Sequence, residues 1–312
     1  MPEYNFEMFN ASYDNTVFEG IIELLNRDVK IFCIILTSPN NKTERSLHQK
    51  ATWIKRCDNY IYASSKTDLE LPALKYCDGD SYQYSMCKFK NALKQVWKKF
   101  GDKYDWYLKV EDDTYVIMEN LKAFLLHKDP NTKSYYGYRK KYGKLEFFSG
   151  TAGYVISKAA TKILVEKGLD NPRYCNQKTR GFDNVEVDAC FKKLGIEGSV
   201  AMDEEKRCLF NHNNPLYLIF PPNDPSSNNS FHYENKLHSP NLISEYPISF
   251  SNISKEMMYV LEYFFYHADV VGKQSKLDLM EELEIKDDDD MERKVEMRYQ
   301  LIKAFSKFNF LS

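Results

Sequence analysis

The sequence has no run of 18 apolar residues, so nothing in it reads as a membrane-spanning helix, and the stretch after Met1 carries no signal-peptide pattern. It also lacks an excess of either charge. Lys and Arg number 43 against 45 Asp and Glu, a net charge of −2, which argues against a nucleic-acid-binding protein. Its seven cysteines, at 33, 57, 77, 87, 175, 190 and 208, form no CxxC pair and no Cys/His cluster at zinc spacing, so a structural zinc is not expected. An odd count leaves at least one thiol free or paired outside the chain. What is present is a 312-residue globular chain, 43% hydrophobic and 28% charged, long enough for one large domain or two small ones. Tyr (23) and Phe (20) are abundant; aromatics pack against sugar rings, but they also fill cores. The cysteines are either buried thiols of a cytosolic protein or mostly pairs in a secretory one. The tripeptides at Asn10, Asn41, Asn228 and Asn252 lean towards the secretory reading.

The most informative stretch is Asp105–Tyr115, DWYLKVEDDTY. It reads as a buried strand, Trp106 to Val110, that runs into three carboxylates, Glu111, Asp112 and Asp113. Adjacent carboxylates repel, and a core strand ends in them only where a cation or hydrogen-bond donors hold them. Hard oxygen ligands suit Mg²⁺ or Mn²⁺, above all when substrate phosphates complete the shell. The bland alternative is a solvated turn or a helix cap. Strand, acids, helix is how an α/β sheet presents metal-bound phosphate at the carboxyl end of a strand.

The rest of the chain fits a layered α/β protein. Val29–Leu36 is a continuous apolar run, the pattern of a strand buried on both faces, and it ends at the turn Thr37-Ser38-Pro39. In an α/β sheet the first strand-to-helix turn is where nucleotides bind. A helix is expected over 45–57, with Arg45 and Lys50 available to phosphate. Further strands are expected at 60–63, 134–139, 145–149 and 153–156, and helices at 85–100, 115–127, 184–194 and 256–267. Ser157 is placed to cap a helix running to Lys167.

WYLKVEDDTYVIMENL and FFSGTAGYVISKAA, together with KATWIKRC and MMYVLEYFFYH, resemble the animal core 1 β1,3-galactosyltransferase family and the wider clan that includes the fringe enzymes. The resemblance runs from about Lys30 to Gly272. It implies a GT-A type nucleotide-sugar-binding fold with a mixed central sheet flanked by helices: a stem at 1–28, the transferase domain at 29–272 and a charged helical tail at 273–312. It implies inverting transfer of galactose from UDP-galactose to GalNAc on Ser or Thr of a glycoprotein. Glu111 and Asp113 would hold Mn²⁺, with Asp112 between them. Thr37, Ser38 and Pro39 would line the uridine site, Lys88 would lie near the donor, and Gly150 would let backbone approach the sugar. It further implies disulfides Cys33–Cys57 and Cys175–Cys190, a Golgi-lumen protein anchored by a helix absent from this chain, and it leaves a homodimer open.

Four departures stand out. The family's base position, six residues before Cys190, is Asn184, and an amide cannot take a proton, so Asp183 is the stand-in base or a mere helix cap. The family's late metal-ligand His falls on Ser251; His232 lies too early to replace it. A late Cys pair is missing, and Thr151 replaces a glycine. A non-catalytic, chaperone-like relative and a fringe-like enzyme with another donor sugar are therefore the alternatives.

Overall fold

A computed structural model describes residues 16–220 and 243–268. The expected stem at its start (1–15), the loop with His232 and the tail at 273–312 lie outside the described residues.

The strands are β1 (Ile31–Leu36), β2 (Asn59–Ser64), β3 (Ala73–Lys75), β4 (Trp106–Glu111), β5 (Tyr115–Val116), β6 (Ser134–Gly137), β7 (Arg139–Tyr142), β8 (Leu145–Phe148), β9 (Tyr154–Ser157), β10 (Glu197–Val200), β11 (Phe210–Asn211) and β12 (Ser249–Phe250). Seven of them form one sheet in the order β10-β6-β9-β4-β1-β2-β3. Strands β1 to β4 pair in parallel, while β9 runs antiparallel to both β4 and β6. The sheet is therefore mixed, as the family resemblance implied.

The helices are α1 (Thr16–Asp28), α2 (Leu47–Ala51), α3 (Ser85–Phe100), α4 (Met118–Leu125), α5 (Lys158–Ile163), α6 (Asp183–Leu194), α7 (Pro215–Ile219) and α8 (Lys255–Tyr266). Side chains alternate across the pleat of β1, so its all-apolar sequence feeds two cores. Phe32, Ile34 and Leu36 pack with Phe89, Leu93 and Val96 of α3; Ile31, Cys33 and Ile35 pack on the other face with Trp53, Leu121 and Phe210.

Two features fix the chain beside the acidic turn. A small sheet, β11-β12-β5, starts directly after Thr114, with Phe250 opposite Tyr115. Helix α8 is bound to it through Glu262, which is buried, accepts both Nη1 and Nη2 of Arg56 at 3.0 and 2.7 Å, and accepts the Tyr115 hydroxyl at 2.8 Å.

Disulfides join Cys33–Cys57 and Cys175–Cys190, as the resemblance implied, and also Cys77–Cys87, which it did not; Cys208 is a free thiol. Several expected elements are shorter or divided. The helix expected at 45–57 is a π turn (Lys42–Ser46), α2, and a 3-10 turn (Trp53–Arg56). Its break is at Thr52, whose hydroxyl donates to the carbonyls of His48 and Gln49. The helix expected from Tyr115 begins at Met118, because pairing with β12 holds Tyr115 and Val116 extended. The strand expected at 134–139 divides into β6 and β7, the latter pairing with β8 in a separate hairpin. Helix α3 matches its expected span, and Ser157 caps α5 through the Ala160 amide.

Candidate active site

In β1 and β4, Leu36 stands beside Glu111 in parallel register. After β1 the chain leaves towards β2 on one side, while β4 lies on the other. The crevice between Thr37 and Asp112 is thus the topological switch point of the sheet, where an open α/β fold binds ligands.

The three acids have different environments. Asp112 is buried and fully engaged: its Oδ2 accepts from Thr37 Oγ1 at 2.6 Å and Asn41 Nδ2 at 2.9 Å. Asp113 is ion-paired through Oδ2 to Arg45 Nη1 at 3.0 Å, but its Oδ1 is buried without a hydrogen-bond partner. Glu111 Oε1 accepts from Lys109 Nζ at 3.4 Å. Burial, and then the neighbouring negative charge, pushes Glu111 up to about 7 even against Lys109, and pushes Asp113 up to about 6 against Arg45. These are carboxylates short of positive charge.

The backbone of the turn is held from behind. Gln49 Nε2 donates to the carbonyls of both Glu111 and Thr114 at 2.9 Å, and Trp53 Nε1 donates to Thr114 at 2.9 Å. Thr114 Oγ1 donates to the Thr151 carbonyl at 2.8 Å. The acids therefore sit on a turn whose main-chain groups are fixed by three elements.

The other expected residues lie around this turn. Thr37 bonds Asp112, Ser38 precedes the 3-10 turn Pro39–Asn41, and Arg45 bridges Asp112 and Asp113. Lys88 is buried, which lowers its pKa, and donates to the Thr37 carbonyl at 2.7 Å, so it fixes the first turn from below. Lys50 turns instead to the Glu70 carbonyl.

At the far side of β4, Asp183 opens α6. It is not the helix cap: that position is Phe182 and has no side-chain cap bond. Asp183 Oδ2 is ion-paired with Lys109 Nζ at 2.8 Å and accepts the Tyr154 hydroxyl at 3.2 Å, with both Asp183 and Lys109 side chains at 0% exposure. Lys109 Nζ also donates to the Gly150 carbonyl at 3.0 Å. Burial alone would lower the Lys109 pKa, but the charges of Asp183 and Glu111 outweigh it and hold Lys109 above the usual lysine range. Gly150 has a packing reason here: a Cβ on it would lie 3.0 Å from Lys109 Nζ and 3.3 Å from Asp183 Oδ2. Asp183 Oδ1 and Asn184 Oδ1 are both buried without partners.

Ser251 is fully buried and its hydroxyl donates to the His212 carbonyl. His212 itself stands next to the turn, its Nδ1 2.8 Å from Thr151 Oγ1 and its Nε2 bonded to Lys140. Among the described residues no three His, Cys, Asp or Glu side chains converge into a metal cage. Two carboxylates, one with an orphaned oxygen, nevertheless fit a Mg²⁺ or Mn²⁺ ion whose remaining ligands are water and phosphate.

Lys109, Gln49, Asn41 and His212 were not foreseen as site residues. Lys109 alone left a signal, a lysine within an otherwise apolar strand.

The Fringe-like family profile matches residues 26–251. The chain belongs to that family. It is 32% identical over 285 residues, 88% of this chain and 75% of the relative, to the glycoprotein-N-acetylgalactosamine 3-beta-galactosyltransferase 1 of Xenopus laevis. It is 25% identical over 191 residues to the human beta-1,3-glucosyltransferase, covering 59% of this chain and 37% of that protein. The Fringe-like chain described here is thus a glycosyltransferase of the β1,3-galactosyltransferase type.

Proposed function

We infer that this chain transfers galactose from UDP-galactose, with inversion, to the GalNAc of a GalNAc-O-Ser/Thr glycoprotein. The observation that carries this reading is the acidic turn at the switch point, with Asp113 Oδ1 unsatisfied and Glu111 pushed up to about 7. Its identity to a curated transferase named for this reaction supports the choice of sugar.

The residues divide the work along β4. The segment Thr37–Pro39, fixed by Lys88 from beneath, lines the nucleoside end. Arg45, held by Asp112 and Asp113, offers its cation to a diphosphate beside the same turn. Glu111 and Asp113 are the two carboxylates that would hold Mn²⁺, and a bound divalent ion there supplies charge neutralisation to a departing diphosphate. Asp183, which shares the Lys109 ammonium with Glu111, is the carboxylate that would accept the acceptor's hydroxyl proton. Lys109 Nζ pairs with both Asp183 and Glu111. Three disulfides suit an oxidising compartment, and a Golgi-lumen location is part of this proposal.

Asn184 and Ser251 favour a second reading, a binding relative that has lost turnover. Titration of UDP into the purified chain with Mn²⁺, then with EDTA, separates the two. Metal-dependent binding that Asp113→Ala abolishes is the expected result. Binding unchanged in Asp113→Ala removes the metal assignment; no binding in either condition favours the non-catalytic relative.

A further inference from the structure

Two of the chain's Asn-X-Ser/Thr tripeptides fall within the described residues, and their settings are opposite. Around Asn252 burial alternates: Ser251 and Ile253 are buried, while Asn252 and Ser254 are exposed. The amide that would take a glycan and the hydroxyl that completes the motif therefore both lie at the surface.

The segment, between β12 and α8, is held from its inner side. Ser251 Oγ donates to the His212 carbonyl, and the Ile253 amide donates to the Asp113 carbonyl at 2.9 Å. Ser254 Oγ caps α8 by accepting the Met257 amide at 3.2 Å. Asn252 has a left-handed backbone, φ 56, which asparagine tolerates better than most residues. Its Nδ2 donates to the His212 carbonyl at 3.1 Å and reaches Asn213 Oδ1 at 3.4 Å. An amide nitrogen carries two protons. Attachment of a sugar uses one of them, and the other suffices for the His212 bond.

Asn41 is the contrasting case. Its Nδ2 donates to Asp112 Oδ2 at 2.9 Å, and its main-chain amide closes the 3-10 turn on the Ser38 carbonyl at 3.0 Å. The residue is half-buried at the crevice between Thr37 and Asp112. An oligosaccharide on that nitrogen would fill the crevice that the transferase reading assigns to UDP.

We propose that Asn252 is an N-glycosylation site and that Asn41 is unmodified in every molecule that binds UDP. The first half rests on the oxidising, secretory compartment that three disulfides suit, and the second rests on the transferase reading. The modification transfers an oligosaccharide from a polyprenyl diphosphate donor. The C1–O bond to the diphosphate breaks, a C1–N bond to Asn252 Nδ2 forms, one amide proton is released, and the polyprenyl diphosphate leaves.

The test maps the sites by mass spectrometry. The full chain, secreted from a eukaryotic host behind a signal sequence, is treated with peptide N-glycosidase in heavy-oxygen water and digested. The peptide containing Asn252 should carry the deamidation mark in most molecules. The peptide containing Asn41 should carry none in the fraction retained by immobilised UDP with Mn²⁺. Ser254→Asp keeps a capping side chain for α8 and breaks the motif, so it should lose the glycan and keep the wild-type UDP Kd. Ser254→Thr should keep both the glycan and the Kd. An unmodified Asn252 in the secreted, disulfide-bonded wild type overturns the assignment, and so does a glycan on Asn41 in the UDP-bound fraction. A mark at Asn252 in a chain that never binds UDP upholds this modification and counts against the transferase reading.

Discussion

Lys109→Met tests how the two ends of the site are coupled. Lys109 makes three contacts from a fully buried position: Asp183 at 2.8 Å, the Gly150 carbonyl at 3.0 Å and Glu111 at 3.4 Å. Methionine keeps the volume and removes the charge. Asp183 is then a buried carboxylate whose remaining partner is the Tyr154 hydroxyl. Breaking a buried pair by removing one member costs about 3–5 kcal/mol, a large share of the roughly 5–15 kcal/mol that holds a domain folded. Lys109→Met/Asp183→Leu removes both members. It should recover about half or more of that loss, since an apolar replacement of a whole buried pair is often neutral, although the Gly150 carbonyl and the Tyr154 hydroxyl each lose a partner. The assay is guanidinium denaturation with the disulfides intact, followed by far-UV circular dichroism and tryptophan fluorescence, with equal m-values required of all variants. A loss under about 1 kcal/mol at unchanged m, or a double variant no more stable than the single one, would refute the buried-pair account.

Three further outcomes are expected. Asn184→Asp sets a second carboxylate where the amide oxygen now lacks a donor, and kcat should rise towards the range of about 10²–10⁴ that a positioned base contributes; steady-state kinetics at saturating acceptor measures it, and no gain leaves Asp183 or solvent as the base. Gln49→Leu strips a donor from the carbonyls of Glu111 and Thr114, so unfolding free energy should fall by about 1–3 kcal/mol and cation-dependent UDP binding should weaken with it; a stability loss without weaker binding separates the turn's geometry from the fold. Glu111 and Asp113, pushed up to about 7 and about 6, hold protons that a cation must displace, so Mn²⁺ affinity measured calorimetrically should fall as pH drops through that window, and equal affinity at pH 8 and pH 5.5 would contradict it.

How much of this was legible in the sequence follows the range of the forces. The central strands announced themselves through local pattern: IFCIIL and WYLKV are apolar on both faces because both faces are buried. Helix α3 was legible to the residue because its amphipathic face is decided by its own side chains. The start of α4 was not, since Tyr115 and Val116 are held extended by a strand more than 130 positions away in the chain. Nor was the break at Thr52, where a side chain competes for helix carbonyls. The site divides the same way. Acids in a row are a local signal. That Asp112 is spent on Thr37 and Asn41, and that Gln49 clamps the turn, are facts of tertiary contact. Asn41 illustrates the difference: as a sequence it reads as a glycosylation acceptor, while in the fold its amide is a donor to Asp112 at 2.9 Å.

The two departures at Asn184 and Ser251 carry different physical consequences. Ser251 and Asn252 both donate to the His212 carbonyl, and Asn252 does so from a left-handed backbone at φ 56. The edge of the small sheet has therefore been rebuilt as a support for the His212 loop, with the imidazole turned to Thr151 and Lys140. The two carboxylates proposed to hold a cation, Glu111 and Asp113, lie on the acidic turn and not on that edge. Asn184 differs because its surroundings have not been rebuilt: its amide oxygen is buried without a donor, next to a carboxylate oxygen in the same condition. A position that had only lost a function would be expected to close around the change with a satisfied or apolar side chain, since an orphaned acceptor is costly. With two adjacent orphans in the first turn of one helix, Asn184→Asp is the direct test of whether a carboxylate at that position restores turnover.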